Sequence, residues 1–127
     1  SQDEIEEIFE IRRLLEPAAA AIAAKKMTDA ALEEMDEAIQ AGIKASEADD
    51  FAAFLVANAA FRRAWMAQVP NAQLVAALAR YIDHVQIIRL VTLSQRPVRE
   101  DVLERLRAIC EAFAAGRADD CDFSPPL

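Results

Sequence analysis

The side chains that could do chemistry in this chain are few and scattered. There is one histidine, His84, and two cysteines, Cys110 and Cys121, in 127 residues. A metal site takes several His, Cys or carboxylate ligands, so a lone imidazole reads as a surface or packing residue. The two thiols stand eleven positions apart with no Cys-x-x-Cys pair. They match neither a zinc site nor a disulfide framework and read as reduced thiols, with Cys110 a small apolar filler on a helix. Di-iron bundles require Glu-x-x-His pairs, and none occurs. His84 has no clear Ser or Cys partner for nucleophilic catalysis. No enzyme is expected. Arg12, Asn58 and Arg62 are the polar residues that stand on otherwise apolar helical faces, and Arg89 lies in a long apolar run.

The composition says what kind of scaffold positions them. Hydrophobic residues make up 54% and charged residues 28%, with 2 Gly and 5 Pro. That suits packed helices and supplies too few turn residues for a many-stranded sheet. The length fits one domain with one core. A formal charge of −8 opposes binding to a polyanion, because DNA affinity comes largely from Lys and Arg on phosphates. No apolar run reaches the length of a membrane span and no leader pattern opens the chain, so a cytoplasmic protein is expected.

Periodicity divides the chain into five helical segments. Ile5, Ile8, Phe9, Arg12, Leu15 and Ile22 form a stripe that predicts a first helix to about Met27, kinked or restarted at Pro17. Thr28 is a candidate N-cap for a second helix, with Leu32, Met35, Ile39 and Ile43 inward and an end near Ser46. Asp49 or Asp50 can cap a third, on which Phe51, Phe54, Leu55, Asn58, Phe61, Arg62 and Trp65 share a side, and Pro70 ends it. Asn71 caps a fourth, NAQLVAALARYIDHVQIIRLVTL, apolar on more than half its circumference and so destined for the bundle interior or a subunit contact. Pro97 suits the first turn of a fifth helix, with Val98, Val102, Leu106, Ile109 and Phe113 inward and Gly116 at its C-terminal end. The tail RADDCDFSPPL, residues 117–127, cannot sustain a helix through Pro125 and Pro126 and is expected to be irregular.

Taken in order, these segments resemble the FCD domain, the C-terminal half of FadR-type GntR transcription regulators, over about residues 5 to 117. EIRRLLEPAAAAIAA resembles the family's opening run, with Arg12 three residues before Leu15-Glu16 and a Pro-Ala stretch after it. ANAAFRRAWMAQVPNAQL resembles its Asp-x-x-Phe-His helix and the Asn-containing turn that follows, and RLRAICEAFAAGR its Glu-His-x-x-Ile segment. The resemblance implies an all-α antiparallel bundle, here of about five to six helices and lacking the usual last helix. It further implies a homodimer and a polar cavity for a small organic acid or related metabolite. DNA contact would belong to a winged-helix domain not present in these residues.

The sequence departs from the family at the cavity. Many FCD domains hold a divalent metal with one Asp and three His. Here Asn58 stands at the Asp, Arg62 at the first His and Leu106 at the second, while the third would come from a last helix near residue 127. Arginine stays protonated and offers no lone pair, so no metal and no other cofactor is expected. A guanidinium where a cation used to sit can instead hold a carboxylate bidentately. The expected ligand-binding residues are Arg62, Arg12, which matches the family's first-helix Arg, Asn58 as an amide donor, and Arg89 as the weakest candidate. The alternative has Arg12 paired with Glu16 on the surface, Arg62 reaching solvent, and a small or filled cavity. The domain would then serve dimerisation alone. Without a closing helix, the fifth helix and the cavity floor should need cover from a partner chain or be left leaky.

Overall fold

The computed structural model describes residues 2–88 and 90–127. They form six α-helices: α1 (Gln2–Lys25), α2 (Asp29–Glu47), α3 (Phe51–Met66), α4 (Ala72–Ile88), α5 (Leu90–Leu93) and α6 (Arg96–Ala114). A 3-10 turn follows at Ala118–Asp120, and no strand occurs among the described residues. No described helix is long and apolar enough to cross a membrane.

The helix ends follow local chemistry. The Thr28 hydroxyl accepts from the Ala31 amide at 3.1 Å, which satisfies one of the orphan donors of the first turn of α2. At the next junction the two aspartates divide the work. Asp49 takes the left-handed conformation, φ 52°, and lets the Asp50 amide reach back to the Ala45 carbonyl. Asp50 then caps α3 by accepting from the Ala53 amide at 3.1 Å. Asn71 does the same for α4 through the Leu74 amide at 3.0 Å. At the end of α6, Gly116 adopts φ 70° while the Arg117 amide returns to the Ala112 carbonyl, the closure that a residue without Cβ makes easily.

One boundary differs from expectation. The first helix ends at Lys25 rather than Met27 and runs through Pro17 as one element, with Pro17 on the exposed side. The long apolar run after Asn71 is helical over α4 and again over α5, and Arg89 between them lies outside the described residues.

Helices α2 and α3 form a tight antiparallel hairpin, and α6 packs across α2. Gly42 makes that crossing close: a Cβ there would stand 2.8 Å from Leu103 Cδ2. Helix α1 pairs with α4 and touches α3 and the 3-10 turn. The core between these groups holds Met35, Phe54, Phe61, Trp65, Leu78, Val102, Ile109 and Phe113, all buried. One buried cation ties the bundle's corner together. Arg99 donates to the Ser46 hydroxyl at 3.1 Å and carbonyl at 3.2 Å, to the Ser94 carbonyl at 2.6 Å, and to the Asp49 carboxylate.

The tail corrects the expectation of an uncovered cavity floor. Beyond Asp120 the chain turns back and lays Cys121, Phe123 and Leu127 against the core. Cys121, Phe123 and Leu127 are partly buried there, while Asp122 faces solvent. Phe123 stacks on Trp65 with ring centroids 5.2 Å apart, opposite Phe113 at 5.6 Å. Arg105 fastens the outer side, donating to the Ser124 hydroxyl at 2.8 Å, the Ser124 carbonyl at 3.2 Å and Asp122 at 3.2 Å. The protein's own tail supplies the cover expected of a partner chain.

Candidate functional site

Arg12 from α1, with Asn58 and Arg62 one turn apart on α3, line one cavity. Ile82 and Gln86 of α4, Leu106 and Ile109 of α6, and Phe123 and Leu127 of the tail close it. Three of the four expected site residues are thereby brought together, and Leu106 joins them. The fourth, Arg89, lies outside the described residues. The cavity measures about 40 Å³ as it stands, room for one or two waters.

Its charges are unusual for so small a space. Arg12 is 3% exposed and holds Glu16, equally buried, through Nε to Oε1 at 2.8 Å and Nη2 to Oε2 at 3.4 Å. Its guanidinium also lies 5.0 Å from the Phe9 ring centroid, a cation–π distance. The Arg12–Glu16 pair that the alternative reading placed on the surface is therefore a buried one. Burial raises the Glu16 pKa above 4.5, against the charge and hydrogen bond of Arg12 and the more distant charge of Arg62. Arg62 donates to Asp83 at 3.1 Å, but Asp83 is 64% exposed while the Arg62 side chain is 16% exposed. Burial pushes the Arg62 pKa down; Asp83 opposes that shift and Arg12 adds to it. Arg12 is thus paired with a buried carboxylate, whereas the counter-charge that Arg62 holds sits out in water, where it is screened.

A larger groove of about 260 Å³ runs outside this cavity, between α1 and the tail. Phe9, Arg12, Glu16, Cys121, Phe123 and Pro125 are among its walls. Arg12 and Phe123 border both spaces, so the Phe123 side chain is part of the partition between them. Sequence reasoning named Arg12 but not Phe123, because a phenylalanine in a Pro-ended tail carries no periodic signal of where it packs.

The family model of the FCD domain matches residues 7–122. The chain belongs to the FCD family. FCD domains are the effector-binding and dimerisation domains of GntR-type regulators and are non-enzymatic. No curated protein and no solved structure gives a significant match.

The metal that many FCD domains carry does not fit this one. The three residues that the sequence resemblance matches to its ligands, Asn58, Arg62 and Leu106, line this cavity and are a neutral amide, a cation and a hydrocarbon. Among the described residues no three His, Cys, Asp or Glu side chains cluster in a way that could hold a metal ion. His84 lies away from the cavity, 47% exposed and 3.2 Å from Glu4. Cys110 and Cys121 are free thiols, and burial, aided by Asp120, pushes Cys121 up to about 11, which leaves it a poor nucleophile.

Proposed function

We propose that this FCD domain senses a small organic acid without a metal. The ligand carboxylate is held by Arg62, with Asn58 one turn away and Arg12 completing the donor set. The observation that carries this reading is the convergence of Arg12, Asn58 and Arg62 on one cavity, with the largely buried Arg62 paired only to the solvent-exposed carboxylate of Asp83. An incoming anion supplies the missing low-dielectric counter-charge and gains bidentate hydrogen bonds. By tightening the contacts between helices it favours one dimer geometry, and through that the spacing of two winged-helix DNA-binding domains outside these residues. The chain's own charge of −8 is consistent with leaving DNA to such domains. The regulator would work in the cytoplasm, where FCD regulators are generally found. The subunit contact is assigned to the apolar end of α4 and α5, where Ile87, Leu90 and Val91 are exposed.

One observation favours a second reading, a module kept for dimerisation alone: the cavity is too small as it stands for any organic acid. Thermal unfolding of the wild type and Arg62→Ala in the presence of small carboxylates and of zinc separates the two. A ligand that binds only the folded state raises the midpoint. A shift with a carboxylate that vanishes in Arg62→Ala, with no response to zinc, supports the metal-free sensor. No shift with any carboxylate favours the dimerisation module, and a clear zinc response contradicts the metal-free reading.

A further inference from the structure

The small cavity and the groove outside it are two halves of one site, separated in part by the ring of Phe123. Their combined volume reaches the lower end of the range of about 300–1,000 Å³ that small-ligand sites occupy. What keeps them apart is the tail. Phe123 is only partly buried, and it rests on the fully buried Trp65. The segment that carries it leaves the helical body just after Gly116, and its polar fastening is to Arg105 through Ser124 and Asp122. Releasing such a segment costs the surface fastening, one aromatic stacking pair and the partly buried packing of Cys121 and Leu127. No helix has to move.

We propose that Phe123 is an internal stand-in for the effector's ring, and that the effector is an aryl carboxylate. Its ring takes the place of Phe123 on Trp65, and its carboxylate reaches Arg62 and Asn58. The ligand class follows from what displacement must replace. Trp65 already packs on Phe113 and presents Phe123 with a tilted stacking surface, which another aromatic ring refills and a short aliphatic acid leaves bare. Phe123, whose place the ring would take, borders the same cavity that the cations line, so the acid group and the ring belong to one molecule. The tail then acts as a competing occupant: the apparent affinity equals the intrinsic affinity reduced by the fraction of molecules with the tail released. This inference rests on the anion-binding reading above and adds the ring and the gate to it.

Trp65 is the one tryptophan in the chain, so its fluorescence reports on the stacking that changes. The experiment titrates the full chain with phenylacetate and with propionate while Trp65 emission is followed, in the wild type, Phe123→Ala, Arg105→Gln and Arg62→Ala. Phenylacetate should bind saturably, and at least about tenfold more tightly than propionate, the scale of one aromatic stacking interaction. Phe123→Ala should tighten it by about tenfold. Arg105→Gln, which leaves the ring in place and only loosens the fastening, should tighten it roughly two- to fivefold. Arg62→Ala should abolish binding. Equal affinity for the two acids, or no gain in both Phe123→Ala and Arg105→Gln, overturns the gate and the ring; if Arg62 dependence persists, the anion sensor survives. Absence of binding in every variant, with the tail loosened, overturns both.

Discussion

At the scale of single residues, the Arg12 and Glu16 pair sets the electrostatics of the cavity. Arg12 was legible in the sequence because it interrupts an apolar stripe. The burial of Glu16 was not, because a spacing of four residues fits an exposed helical pair equally well. Only the return of the tail over α1 distinguishes the two. The raised Glu16 pKa has a defined consequence for stability. A carboxyl whose folded pKa lies above its unfolded value of 4.5 takes up its proton more readily in the folded state. Its contribution is fully present below the unfolded value and is lost as pH rises through the folded one. Glu16→Gln should therefore remove a component of stability that the wild type gains on acidification in that window. Urea unfolding of both proteins between pH 4 and pH 7, on the order of one measurement per half unit, checks it: parallel profiles would mean that burial does not govern this carboxyl. Asn58 and Arg62 were legible as a pair on one face of α3. Phe123 and Leu127, which close the same cavity, were not.

At the scale of elements, the caps were the most legible feature. Thr28 and Asn71 stand where an N-terminal oxygen acceptor is needed, and Gly116 where a left-handed residue is needed. The pair at 49 and 50 was ambiguous in the sequence, and the structure gives one aspartate to the end of α2 and the other to the start of α3. Arg99 was invisible, because its partners come from positions about fifty residues earlier that only tertiary folding brings near. It nonetheless joins the end of α2 to the start of α6. Arg99→Lys keeps the charge but cannot reproduce a planar fork aimed at four acceptors. It should cost about 2–3 kcal/mol, the scale of buried acceptors left unsatisfied, measured by urea unfolding. A loss below about 0.5 kcal/mol, the range of ordinary surface substitutions, would show that the corner does not depend on it.

At the scale of the whole molecule, the all-helical class followed from composition and period, whereas the tail's path did not. Pro125 and Pro126 say only that no helix continues, and nothing local says that Phe123 returns to Trp65. The long apolar run after Asn71 also contained more than bundle burial required. Ile87 and Val91 are 69% and 77% exposed, in a family whose members dimerise. Val91→Glu should place like charges across a two-fold contact and shift the protein toward monomer, read as a lower sedimentation mass at fixed concentration; an unchanged mass would move the contact elsewhere. The arrangement of elements also sets how far along the chain each contact must reach. The α2–α3 hairpin and its α6 partner draw on nearer segments than the packing of α1 against the 3-10 turn, which joins the first helix to the last residues. Contacts so distant along the chain carry the largest loop-closure cost in the fold. The walls of the groove beside the cavity therefore depend on both ends of the chain meeting, where the hairpin depends only on its neighbours.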